Sequence, residues 1–166
     1  MDFSRITDTL FIGTTPKSEA YDRLRELGVG LVINMRWERR PYRDPHTSPI
    51  PTLWLPTFDS PLIPIPVRVL MRGALAAQET LAQGKKVYVH CQMGRHRGVA
   101  IGSAVLIAQG YEPEEAMRLI KKARPVADPD AWYIRRQILR FARAWKRLHP
   151  DEAQPAPSPS APEQGD

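Results

Sequence analysis

The residues most able to do chemistry lie around Cys91, the single cysteine of the chain. Gly94 follows three residues later, and Arg97 three residues after that. Residues 86–90 are typical of a strand and residues 99–109 of a helix, so the segment between them should turn into a helix N-terminus. Backbone N–H groups and the helix dipole make such a turn a phosphate site, and its field favours the thiolate form of Cys91. A thiolate beside a phosphate that Arg97 grips through two oxygens could attack phosphorus and form a cysteinyl-phosphate.

The rest of this loop is expected to contribute backbone amides and charge. The backbone amides from Gln92 to Arg97 should contact the phosphate. Two basic side chains, Arg95 and His96, favour a substrate with more than one phosphate, although either could equally face solvent or cap the loop. His90 is expected to orient the loop through hydrogen bonds rather than to act as a base. The predicted substrate-binding residues of the loop are Gln92, Met93, Gly94, Arg95 and His96.

A second basic segment, residues 36–43, follows an apolar run that is typical of a buried strand. Because it leaves the carboxyl end of that strand, Arg39 and Arg40 are predicted to help bind the substrate. An ordinary solvated loop is an equal alternative. The arginines of the last predicted helix are expected to form a solvated face: Arg136, Arg140, Arg143 and Arg147.

The run His90-Cys91-x-x-Gly94-x-x-Arg97 resembles the signature of the cysteine-dependent phosphatases of the tyrosine and dual-specificity superfamily. A chance match at four fixed positions is on the order of one in several thousand, and the strand and helix on either side make it rarer. The competing interpretation is a buried structural cysteine. The resemblance covers residues 6–145 and implies a phosphatase that needs no cofactor or metal and acts on phosphorylated protein or another anionic phosphorylated substrate.

The resemblance also implies a general acid, which family members carry on a loop some thirty residues before the cysteine. Asp59 lies 32 residues before Cys91, on a loop that follows a short strand. It could protonate the leaving oxygen and then act as the base for water. The alternatives are that Asp59 is a turn residue or that Asp44, in a more basic loop, takes the role.

One departure from the family pattern bears on turnover. Most members carry Ser or Thr directly after the arginine, where the hydroxyl helps the thiolate leave, and this chain has Gly98. Gly98 therefore suggests a low-turnover phosphate-binding module as one alternative. The Gly94-Arg95-His96-Arg97 run is similar to that of atypical members acting on inositol pyrophosphates, which suggests a phosphoinositide or inositol polyphosphate phosphatase as another. A sulfurtransferase is a third.

Strand-like and helix-like runs alternate along the chain, which indicates an α/β fold. We predict three layers, with a mostly parallel central sheet flanked by helices, as in dual-specificity phosphatases. Ligands of such sheets bind beyond the carboxyl ends of the strands, where the Cys91 loop lies. The predicted strands are 9–12, 30–35, 53–55 and 86–90, and the predicted helices are 18–27, 67–82, 99–109, 112–123 and 130–148.

Composition indicates one domain, residues 1–149, and a disordered tail rich in Pro, Ser and Ala, residues 150–166. The N-terminus lacks the pattern of a secretory signal, no apolar run could span a bilayer, and one cysteine cannot form an internal disulfide. We therefore expect a cytoplasmic protein, and a monomer. The net charge of +6 favours an anionic partner, with nucleic acid an unlikely one.

Overall fold

The computed structural model describes residues 1–150, and the predicted tail from residue 151 onward lies outside them. A five-stranded sheet has the order β1-β2-β5-β3-β4, and only β1 is antiparallel to its neighbour. The predicted three-layer α/β fold with a mostly parallel sheet is confirmed. β1 is a strand that the sequence analysis missed, because three residues are too few to show alternation. The strands are β1 Phe3–Arg5, β2 Leu10–Gly13, β3 Val29–Arg36, β4 Thr52–Thr57 and β5 Lys86–His90.

The helices follow the prediction to within one residue at every end except three starts. α3 begins at Arg97 rather than at the first apolar residue, Val99, because the N–H of Ala100 already bonds the carbonyl of His96. The predicted helix 18–27 is wrong at its start, where Ser18–Ala20 forms a 3₁₀ turn. α5 begins two residues late, after a turn in which Asp128 accepts a backbone N–H. The helices are α1 Tyr21–Glu26, α2 Val67–Ala82, α3 Arg97–Ala108, α4 Pro113–Ala123 and α5 Trp132–Leu148.

The two faces of the sheet are covered unequally. Val87 and Val89 of β5 point into the main core, formed with helices α2 to α5, while Tyr88 between them points to a smaller core under α1. This alternation is the two-residue period of a strand buried on both faces. Of the helices in residues 1–150, none is long and apolar enough to cross a membrane.

Parallel pairing brings the carboxyl ends of β5, β3 and β4 to one edge of the sheet. The segments that leave this edge are 91–96, 37–51 and 58–66, so the loops that carry Cys91, the basic segment and Asp59 share one side of the molecule. This is the edge at which open α/β sheets bind ligands.

Candidate active site

The turn after β5 curls around the sulfur of Cys91. Cys91 is buried, and the backbone N–H of Gly94 donates to its Sγ at 3.2 Å. Gly94 has a φ of 66°, in the left-handed region that favours glycine. A Cβ there would lie 2.7 Å from Nε of Arg124, so the turn needs glycine for both its backbone angle and its space.

Arg97, the first residue of α3, is almost fully buried and held at one end of its guanidinium. Its two terminal nitrogens donate to the two carboxylate oxygens of Glu38, both at 3.0 Å, and Nη1 also donates to the carbonyl of Thr57 at 2.9 Å. Nε has no partner among the described residues. Arginine has five N–H donors, so the Nε edge still offers donors to a bound anion.

The role of Glu38 as the partner of Arg97 was not predicted from the sequence, where the arginines of the same segment were the candidates. Hydrogen bonds from Arg97 lower the pKa of Glu38 from 4.5 to about 2. Arg36 also donates to Glu38, at 2.9 Å, and bonds the hydroxyl of Thr15. Glu38 therefore joins residues 36–43 to Arg97, while Arg36 joins them to Thr15, whose hydroxyl donates to the carbonyl of Cys91 at 3.5 Å.

The predicted substrate arginines of that segment make other contacts. The guanidinium of Arg39 lies over the ring of Tyr42 and bonds its hydroxyl, and that of Arg40 lies over Trp54. Among residues 1–150 neither is hydrogen-bonded to the Cys91 loop. Their role in binding a substrate stays a prediction.

Arg124 fixes the outer side of the Cys91 loop. It is buried, and it donates to the carbonyls of Met93, at 2.6 Å, and Gly94, at 3.3 Å. Asp2, next to β1, accepts from the same guanidinium at 2.8 Å. Because these carbonyls are turned outward to Arg124, the loop is held in a conformation in which its N–H groups can face the sulfur side.

Asp59 lies beside the Cys91 loop and is held by two side chains. Its Oδ2 is 3.1 Å from Nδ1 of His96, and its Oδ1 accepts a hydrogen bond from the hydroxyl of Tyr133 at 2.9 Å. Burial, and then the bond to Asp59, raise the pKa of Tyr133 to about 12, so the phenol keeps its proton and remains a donor. Tyr133 was missed because no spacing rule links it to Asp59.

The rival acid, Asp44, is part of a structural cluster. Its buried carboxylate is paired with Arg25 and His46 and accepts the backbone N–H of Ile50. These contacts fasten the loop between β3 and β4 to α1. In the structure Asp59, and not Asp44, is joined to the Cys91 loop.

The remaining loop residues have distinct surroundings. His90 is buried, which lowers its pKa to about 4, and its Nδ1 is 3.4 Å from the carbonyl oxygen of Cys91, so its ring is neutral at pH 7. Gln92 and Met93 are exposed, and Arg95 lies 3.6 Å from Asp128. A Cβ on Gly98 would lie 3.6 Å from Sγ of Cys91, at ordinary contact distance, so a serine would fit there.

Known proteins resemble this chain in sequence and in fold. The family model for the dual specificity phosphatase catalytic domain matches residues 10–144. The mouse protein named dual specificity phosphatase 28 is 30% identical over 129 residues, which cover 77% of each chain. A mouse dual specificity phosphatase solved with zinc tungstate has a TM-score of 0.78 at 26% identity, with 88% of this chain and 89% of that chain covered.

A further solved structure is PTPMT1 in complex with PI(5)P. It has a TM-score of 0.72 at 27% identity, and the match covers 92% of this chain and 99% of that one. Both solved structures are similar to this chain in overall fold. The matches in sequence and fold together show that this chain belongs to the dual specificity phosphatase family and is a phosphatase.

Proposed function

We propose that the chain hydrolyses phosphate monoesters through a cysteinyl-phosphate on Cys91, with Arg97 as the phosphate clamp and Asp59 as the general acid. The orientation of Arg97 carries this proposal. One end of the guanidinium is fixed on Glu38, while Nε is unpaired among the described residues and Cys91 is within electrostatic reach. Such an arginine is pre-organised to hold two oxygens of a phosphate above the sulfur.

The proposed reaction has two steps. In the first, the thiolate of Cys91 forms a bond to phosphorus while the ester P–O bond breaks, and Asp59 gives its proton to the leaving oxygen. In the second, Asp59 takes a proton from water, the water oxygen bonds phosphorus, and the S–P bond breaks to release phosphate and the thiolate. His96 and Tyr133 keep the carboxyl group of Asp59 beside the loop in both steps.

Two candidate substrate classes are proposed. The cradle suits any accessible phosphate monoester, including phosphotyrosine, phosphoserine and phosphothreonine in proteins. A phosphoinositide is the second candidate, and two observations favour it. Arg95 is exposed at the mouth of the loop, and the similar PTPMT1 was solved with PI(5)P. Comparing phosphopeptides, phosphoinositides and inositol polyphosphates in one assay would rank these candidates.

Asp59→Asn should reduce hydrolysis of a phosphoserine peptide by about 10²–10⁴-fold and reduce that of an activated aryl phosphate much less. A serine alkoxide needs a proton to leave, whereas a phenolate of low pKa does not. Steady-state kcat/KM for the two substrates measures the contrast. Asp130→Asn, an exposed carboxylate nearby, is the control. Equal losses on both substrates would show that Asp59 is structural, and an inactive wild-type protein would overturn the proposed function.

Glu38→Gln should weaken inhibition by inorganic phosphate about ten-fold or more, because the amide cannot accept both bonds from Arg97 and the clamp loses its fixed orientation. A hydrogen bond to a charged group contributes about 1.5–3 kcal/mol, which corresponds to that factor. Glu26→Gln removes a carboxylate from an exposed ion pair with Arg23 and serves as the control. Unchanged phosphate inhibition in Glu38→Gln would contradict the positioning role.

The same variant has a pH signature. Since the folded-state pKa of Glu38 is lowered to about 2 from 4.5, its ionised form stabilises the fold fully above pH 4.5, and this contribution is lost as the pH falls towards 2. The difference in free energy of unfolding between the wild type and Glu38→Gln should therefore be constant near neutrality and shrink in that acidic window. Urea unfolding at several pH values measures it.

Gly98→Ser should raise kcat by about ten-fold or more. Breakdown of the cysteinyl-phosphate needs sulfur to leave as a thiolate, and a hydroxyl donor would stabilise that charge by about 1.5–3 kcal/mol. The wild type should release a pre-steady-state burst of the leaving group, and Gly98→Ser should weaken the burst. A wild type without a burst, whose kcat is unchanged by the substitution, would show that the Gly94 N–H already serves the sulfur.

A further inference from the structure

Large apolar side chains stand exposed around the mouth of the candidate site. Leu62 is 88% exposed, Trp132 63%, Met93 56% and Trp37 53%. Single exposed apolar residues are ordinary on a protein surface, but a cluster around one site marks an interaction surface. We call the cluster the apolar rim, and its members are Trp37, Phe58, Leu62, Ile63, Met93 and Trp132.

Contacts and chain position join the rim to the candidate site. The ring of Trp37, after β3, lies 4.7 Å from that of Phe58, which directly precedes Asp59. Trp132, the first residue of α5, contacts the ring of Tyr133, whose hydroxyl donates to Asp59. Met93 belongs to the Cys91 loop itself. The rim therefore draws its members from four separate segments, each of which carries or adjoins a residue of the candidate site.

Basic side chains accompany the rim. Arg39, Arg40 and Arg95 are exposed on the same loops. Lys121 joins them beside the 124–131 segment, where its ammonium group bonds the carbonyl of Ala127. The carboxylates on this side have partners of their own: Glu38 pairs with Arg97, Asp59 with His96 and Tyr133, Asp128 with Arg95, and the exposed Asp130 with Arg135. Among residues 1–150, Arg39 and Arg40 contact aromatic rings and pair with no carboxylate, so these two cations are available to an anionic partner.

The composition of the rim, with two exposed tryptophans beside exposed arginines, favours a lipid surface. Tryptophan rings are enriched at the interface between lipid and water, and arginine and lysine beside an anionic bilayer add attraction.

We propose that the apolar rim and its cations dock the catalytic mouth on an anionic lipid bilayer, so that Cys91 receives a phosphate monoester from a lipid headgroup. The apolar tips enter the headgroup region and the basic side chains face the anionic lipids. This inference rests on the proposed function for its substrate, but the docking itself does not depend on catalysis.

Co-sedimentation with vesicles tests the docking. The full chain should bind vesicles of phosphatidylcholine with phosphatidylserine, and bind phosphatidylcholine vesicles far less. Leu62→Glu combined with Ile63→Glu should lower binding to the anionic vesicles about ten-fold or more, while Leu75→Glu, on an exposed position of α2 outside the rim, should leave it unchanged. Added salt should weaken binding, since the screening length falls from about 10 Å at 0.1 M to about 3 Å at 1 M.

Hydrolysis of a soluble aryl phosphate, measured on the same preparations, separates the two proposals and reports folding. Equal aryl phosphatase activity in all variants, with binding lost only in the rim variant, is the expected result. An active wild type that does not bind anionic vesicles would overturn the docking. The docking would also be overturned if Leu75→Glu weakened vesicle binding as much as Leu62→Glu combined with Ile63→Glu. If the wild type does not bind vesicles and the rim variant loses phosphopeptide hydrolysis, the surface binds a protein partner. That result would also overturn the docking on a bilayer. An inactive wild type that binds vesicles would leave the docking intact and overturn the proposed function.

Tryptophan fluorescence gives an independent measurement on the unaltered chain. Of the four tryptophans, Trp37 and Trp132 are exposed, Trp54 is half-buried beneath Arg40, and Trp145 is buried. Anionic vesicles that carry brominated acyl chains should therefore quench the emission, and Trp37→Phe combined with Trp132→Phe should remove most of the quenching. Unquenched emission of the wild type at saturating lipid would contradict insertion of the rim.

Discussion

The pairing of Arg97 with Glu38 is the constraint on which the arrangement of the candidate site depends. A buried guanidinium needs a partner, because an unpaired charge in the interior is costly. Glu38 supplies one at the end of the side chain and thereby joins the segment after β3 to the first turn of α3. The Nε edge of Arg97 still offers donors to an anion. The pair with Glu38 therefore both compensates the buried charge of Arg97 and orients the guanidinium for the proposed chemistry.

Other residues around the Cys91 loop also position the groups of the proposed mechanism. Arg124 binds the carbonyls of Met93 and Gly94, and this supports the turn that brings the Gly94 N–H to Cys91. Asp59 is kept near by His96 and Tyr133. Each group of the proposed mechanism is thus positioned by a residue with no chemical step of its own, as pre-organised sites require.

Local patterns in the sequence predicted the secondary structure around Cys91 and the class of the fold. The strand, turn and helix around Cys91 follow from apolar runs and one glycine, and the three-layer fold follows from the alternation of elements. Glu38 and Tyr133 could not be found in this way. They lie 59 and 74 residues from the partners they hold, and only the parallel pairing of β3, β4 and β5 and the packing of α5 bring them there. β1 was missed because it is only three residues long and is defined by its antiparallel pairing with β2.

The most direct test of the central claim is to identify the atom that carries the phosphoryl group during turnover. Protein quenched with acid while it hydrolyses an aryl phosphate should gain the mass of one phosphoryl group, and peptide mapping should place that group on Cys91. The Cys91→Ser protein should bind inorganic phosphate and acquire no such mass. A phosphoryl group on another residue, or turnover by the Cys91→Ser protein, would contradict the account.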